Sequence, residues 1–292
     1  RVSRRPLVNF GLGEATSAAL PMTCWRGRSM AIITGITDTL DAQVARFPQA
    51  PLSQPVLLNS VPKGGTHLLR NIVRMFVPAE QHYDQDFVQI PNMHLHLEAF
   101  NPHAPRLSAA HLLFSDQAVA NIRTARHVLL VRDPYDWVLA RARFFVSDAF
   151  HQENLEHLKS GVFNGDMLLN FMIFGLYGKT PALADVYTHN AAAWLGTGAY
   201  LVRYEDILAA LADLDAPSSE RYFRALLDAC GIDMPADWKA RVRIGSDRKL
   251  SRTARENLKL PAGVNFPATL PEQQKRLVDF HAPGLRQLLG YA

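Results

Sequence analysis

The stretch that decides the reading is "LLNSVPKGGTHLLRNIVRMF", residues 57–76. It begins as an apolar strand and passes through Pro62, Lys63, Gly64 and Gly65. It then sets Leu68, Leu69, Ile72, Val73 and Phe76 at helical spacing. A short continuous apolar run suits a strand buried on both faces, and i, i+3, i+4 repetition marks an amphipathic helix. The segment therefore predicts strand, tight turn, helix. Successive N–H groups in a glycine-containing turn that opens a helix form a concave, partly positive donor surface, and Lys63 adds a full charge. An anion belongs there. The nucleoside-triphosphatase loop needs a longer arch ending Gly-Lys-Ser/Thr, whereas here the lysine precedes the glycines. So short a turn wraps one phosphate. Taken alone, the same four residues are equally explained as a tight turn with a solvated lysine.

The pattern recurs along the chain. In "RHVLLVRDPYDWVLARARFFV", residues 126–146, a strand from His127 to Val131 passes through Arg132, Asp133 and Pro134 into a helix, where proline is tolerated because its missing N–H would be unsatisfied anyway. A third strand is "AYLVRYED", 199–206, with helical stretches over about 181–195 before it and 218–230 after it. The closing "LPEQQKRLVDFHAPGLRQLLGY", 270–291, reads as helix broken near Pro283. Strands alternating with helices imply crossover units and an α/β fold, a mainly parallel sheet flanked by helices on both faces. "NMHLHLEAF", 92–100, is expected to form a strand or to line a substrate site.

Composition narrows the classes. A chain of 292 residues that is 48% hydrophobic can bury a substantial core. Its charge of +4 comes from 31 basic and 27 acidic residues without a long basic run, which gives no argument for a nucleic-acid partner. Two cysteines, Cys24 and Cys230, suit a reducing compartment, and a cytoplasmic location is expected. The longest apolar stretch, Met167 to Tyr177, is shorter than the roughly 20 residues a membrane span needs. His94 and His96 lack a convincing third metal ligand, so no metal site is expected. Residues 1–29 are arginine-rich, poor in acids and without an apolar signal-peptide core. They are expected to be a poorly ordered extension ahead of one α/β domain spanning 30–292. No feature of the sequence sets an oligomeric state.

Four segments together carry a family resemblance. "SVPKGGTHLLR" resembles the "PKSGTTW" loop of sulfotransferases that use 3'-phosphoadenosine 5'-phosphosulfate (PAPS), and "LLVRDPYDWVLARARFF" resembles their second signature. Between them "PRLSAAHLLFS" resembles the family segment that carries the catalytic histidine, and "YLVRYEDIL" resembles the recurrent "RYEDL" element. The chain thus resembles a bacterial-type sulfotransferase, which implies a P-loop-like three-layer sandwich, PAPS as donor and PAP as product. The acceptor would be a hydroxyl on a carbohydrate, a small molecule or a protein tyrosine. By the same resemblance Lys63 contacts the bridging oxygen of the donor, Gly64, Gly65, Thr66 and His67 hold the 5'-phosphate, Arg132 grips the 3'-phosphate, and Tyr204 lies near the adenine. His111 is the implied general base, with His67, His94, His96 and His103 as rivals.

The departures are specific. Gly64 replaces a serine, and Leu68 stands where many members have an adenine-stacking tryptophan. Ala140 replaces a serine that contacts the 3'-phosphate, a loss that Arg141, Arg143 or a C-terminal basic residue would have to offset. The family's C-terminal cofactor segment is only partly matched by "SDRKLSRTARENLK", 246–259, through Arg248 and Lys249. Two other readings stay open on these residues: a nucleotide-dependent kinase of P-loop type, and a nucleotide-binding protein of the same fold with impaired catalysis.

Overall fold

In a computed structural model of the chain the described residues are 32–33, 39–85, 92–250, 260–261 and 264–291. The extension expected over 1–29 lies outside them. In chain order the strands are β1 (Ile32–Ile33), β2 (Val56–Ser60), β3 (Leu107–Ala110), β4 (Arg126–Val131), β5 (Phe150–His151) and β6 (Tyr200–Arg203). The helices are α1 (Leu40–Val44), α2 (Thr66–Arg74), α3 (Asp116–Ile122), α4 (Pro134–Val146), α5 (Gly165–Phe174), α6 (Leu183–Asn190), α7 (Tyr204–Ala212), α8 (Pro217–Ala229), α9 (Trp238–Ser246), α10 (Glu272–His281) and α11 (Leu285–Leu288).

Four strands form one parallel sheet in the order β3-β2-β4-β6, and β1 pairs antiparallel with β5 in a separate ribbon. Every side chain of β2 is buried, the polar Asn59 and Ser60 included. Alternate residues feed two cores. Leu57, Leu129 and Val131 pack with Trp137, Val138, Leu169 and Tyr187 on one face, under α4, α5 and α6. Val56, Leu58, Val128, Leu130 and Val202 pack with Leu69, Ile72, Phe223 and Val242 on the other, under α2, α8 and α9. The result is the expected three-layer α/β sandwich.

Connectivity fixes where a ligand belongs. From β2 the chain crosses by α2 to β3 on one side; from β4 it crosses by α4 to α6 to β6 on the other. Neighbouring strands whose connections diverge leave a crevice at their carboxyl ends, the usual ligand position of open α/β sheets. The turn at 61–65 and Arg132 both border that crevice.

One expected element differs. Residues 92–100 form two short 3-10 turns, Asn92–Leu95 and Leu97–Phe100, rather than a strand. The alternating His-Leu-His-Leu pattern has no sheet to lie on: Leu95 and Leu97 are exposed, while Met93, Ala99 and Phe100 go inward. Among the described residues no helix is long and apolar enough to cross a membrane.

Candidate active site

The turn after β2 is held open by its backbone. Lys63 takes a left-handed conformation (φ 63°) and Gly65 follows at φ 105°, where a side chain would be strained. A Cβ at Gly65 would lie 2.3 Å from Cδ2 of Tyr204, and one at Gly64 would lie 2.8 Å from Cγ2 of Val61. Any side chain at position 64 would therefore press on Val61. Gly65 caps α2, whose first amide bonds run from Leu68 and Leu69 onto the Gly65 carbonyl. The amides of Gly65, Thr66 and His67 precede that ladder and face the end where an anion is stabilised. Leu68 is partly buried against the core.

Arg132 sits at the same level on the neighbouring strand. Ser60 pairs with Leu130, and the Val61 amide donates to the Leu130 carbonyl at 3.2 Å. The Tyr204 ring links the two: its edge abuts Gly65, and the Arg132 guanidinium lies 4.6 Å from its centroid. Tyr204 therefore forms a wall shared by the loop and Arg132. Nε of Arg132 is buried and has no hydrogen-bond partner. Its neighbour does not neutralise it, because Asp133 is engaged by both arms of Arg286 (2.8 and 3.1 Å) and caps α4 through the Tyr135 amide. A guanidinium is charged at neutral pH, so burying one of its nitrogens without an acceptor carries a cost that a bound acceptor would relieve.

Two aromatic residues support this arrangement. Trp137 Nε1 donates to the Pro62 carbonyl at 2.5 Å, Tyr187 donates to the Arg132 carbonyl at 2.7 Å, and the two rings meet edge to face at 5.4 Å. Neither was singled out from sequence, because each bond spans a long separation, 75 residues from Pro62 to Trp137 and 55 from Arg132 to Tyr187. Lys63 extends over the Phe144 ring, its ammonium 3.7 Å from the centroid, a cation–π contact that seats it on α4.

His111 follows directly on β3, beside β2. Its Nδ1 lies 2.9 Å from the Ser60 carbonyl and 3.1 Å from the Ser60 hydroxyl. A carbonyl only accepts, so this contact favours the tautomer with its hydrogen on Nδ1 and its lone pair on Nε2, the form a general base needs. The main chain here is pinned: Asn59 exchanges two bonds with Leu112, Asn190 donates to the His111 carbonyl at 2.8 Å, and Trp194 Nε1 donates to the Leu112 carbonyl. Among the rivals, His96 is buried, bonded to the Tyr83 hydroxyl at 2.9 Å, and held below the ordinary imidazole pKa mainly by burial. His67 lies in the first turn of α2, and His103 is exposed.

The remaining residues separate. Arg141 is buried on α4, with its fork bonded to the carbonyls of Met172 (3.1 Å) and Pro181 (2.9 Å), and burial pulls its pKa down to about 9. It stands behind the Trp137 ring, 4.8 Å from the centroid, rather than in the crevice. Arg143 bonds the Pro267 carbonyl. Of the residues expected to offset Ala140, Arg141 and Arg143 are thus bonded elsewhere. Arg248 and Lys249 are exposed in a 3-10 turn after α9. Helix α9 runs antiparallel to α2, since Arg241 meets the Met75 carbonyl while Gly245 meets Asn71 and Ile72. Its carboxyl end therefore points toward the first turn of α2 and the loop. The rest of the basic segment, 251–259, lies outside the described residues. Among the described residues no three His, Cys, Asp or Glu side chains come together as a metal site.

These features define a mainly parallel α/β sandwich with its crevice between β2 and β4. No protein-family model matches the sequence, and no curated protein does. Among solved structures the chain is similar to the mouse sulfotransferase SULT7A1 complexed with PAP, with a TM-score of 0.53 and 16% identity over 87% of this chain and 93% of that one. At that identity the likeness concerns the fold.

Proposed function

We propose that this chain is a PAPS-dependent sulfotransferase, with 30–292 acting as one catalytic unit. The observation that carries the reading is the buried, unpartnered Nε of Arg132, set across the Tyr204 ring from the Lys63-Gly64-Gly65 turn at the divergence of β2 and β4. Two separate anion-binding elements flanking one aromatic ring match a nucleotide with phosphates at both ends, and the structural neighbour holds PAP. The loop amides and Thr66 would take the 5'-phosphate, and Arg132 the 3'-phosphate. Arg248 and Lys249 would close over it, in the place left by Ala140.

His111 would take the acceptor's hydroxyl proton on Nε2 as that oxygen attacks sulfur. Lys63 would leave the Phe144 ring to stabilise charge on the bridging oxygen as the S–O bond breaks and PAP departs. Fixed donors aimed at developing charge, with reacting groups held in line, supply most of such an acceleration. The acceptor is a hydroxyl compound. The free, buried Cys230, whose thiol burial pushes up to about 12, suits a reducing compartment such as the cytoplasm.

The test is transfer of labelled sulfate from PAPS into acceptor fractions of the native cell. Wild type should label a product, and His111→Ala should lose roughly 100- to 10,000-fold in kcat while still binding PAP. Undiminished transfer by His111→Ala would overturn its role.

A further inference from the structure

The hydroxyls of Ser60 and Thr66 form a chain between the loop and the ring of His111. Thr66 Oγ1 lies 2.6 Å from Ser60 Oγ, which lies 3.1 Å from Nδ1 of His111. The same nitrogen is 2.9 Å from the Ser60 carbonyl. That carbonyl favours a hydrogen on Nδ1, and the Ser60 hydroxyl, beside the same N–H, becomes its second acceptor. Ser60 then has its own proton to give to Thr66. Thr66, having accepted one, has its proton to give outward, from the first residue of the helix that closes the loop.

We propose that Ser60 and Thr66 are positioning residues that couple an anion in the loop to the tautomer of His111. When an anion accepts the Thr66 proton, every donor points from the ring toward the anion, and the basic lone pair is held on Nε2. Without the anion the hydroxyls can reverse. Thr66 can donate to Ser60, and Ser60 to the Ala110 carbonyl at 3.5 Å or onto Nδ1 of the opposite tautomer. The ring carries one proton in either arrangement and exchanges it with solvent, so no proton is gained or lost. Donor binding thereby prepares the base before the acceptor arrives. Hydroxyl chains of this kind polarise cooperatively, which is why a charge at one end is felt at the other.

The inference rests on the preceding reading for the role of His111 as base, but the chain itself is tested without turnover. The ring nitrogens of 15N-histidine-labelled protein are observed as PAP, and separately inorganic phosphate, is added. In wild type the ligand should move Nδ1 toward the protonated position and Nε2 toward the unprotonated one. Ser60→Ala, which keeps the main-chain carbonyl, and Thr66→Val should each abolish that movement, and Ser60→Ala should lower kcat about tenfold at an unchanged KM for PAPS. If PAP binds wild type and the ring signals stay still, or if Ser60→Ala responds as wild type does, the coupling is wrong. If PAP does not bind but phosphate moves the ring, the coupling stands and the nucleotide reading falls. If neither ligand moves the ring, the coupling falls.

Discussion

The two ends of the sheet each bury a nitrogen without a partner, and they resolve it in opposite ways. At the carboxyl end it is Nε of Arg132; at the amino end it is Nε2 of His127, which lines a cavity of about 540 Å³ with Arg126, Trp194 and Tyr200. His127 packs edge to face on Trp194 at 4.9 Å, and burial drives its pKa down to about 4. A histidine deprived of solvent sheds its proton and becomes a neutral wall. An arginine has no such escape near neutral pH, where a guanidinium is charged. The cavity lies at the amino end, whereas the proposed site rests on the charge of Arg132 at the carboxyl end.

The sharpest way to break this contrast is Arg132→Met. Removing the guanidinium should weaken PAP binding by about 4 kcal/mol, roughly a thousandfold, while leaving the ligand-free protein as stable as before or more so. A loss of thermal stability with affinity intact would make Arg132 a structural residue instead. Next is Gly65→Ala, which adds a Cβ 2.3 Å from Tyr204 at a left-handed position. Overpacking and backbone strain together should cost roughly 3 to 4 kcal/mol in thermal or denaturant unfolding, and Tyr204→Ala in the same chain should recover only the steric part.

The amino end yields a pH effect. The folded-state pKa of His127 lies below that of an exposed ring, so between about pH 6.5 and 4 the unfolded chain binds more protons and stability falls as pH falls. The loss should approach about 3 kcal/mol by pH 4. Urea unfolding at pH 7, 5 and 4 should show a shallower pH dependence in His127→Gln than in wild type; equal slopes would show that the ring is not the source.

What could be read from sequence was local. The apolar run of β2, the glycines at 64 and 65 and the spacing of α2 lie within twenty residues, and the structure reproduces them. The same holds for β4 running through Asp133 and Pro134 into α4. What escaped depends on distant partners. Arg141 has the composition of an anion ligand, and only its bonds to Met172 and Pro181 show that it is a buried tie. Asp133 adjoins Arg132 in the chain, yet both of its oxygens are taken by Arg286 from α11. Asn59 and Ser60 hid inside an apolar run, although polar side chains at two successive buried strand positions are a signal that could have been followed. Their partners come from β3, about fifty residues on.

Isothermal calorimetry of adenosine 3',5'-bisphosphate against ADP bears most directly on the central claim, that the loop after β2 and Arg132 hold the two ends of one nucleotide. The account predicts that the bisphosphate binds at least about a hundredfold tighter than ADP, because only it offers a phosphate to the guanidinium as well as to the loop. Equal affinities, or tighter binding of ADP, would contradict it.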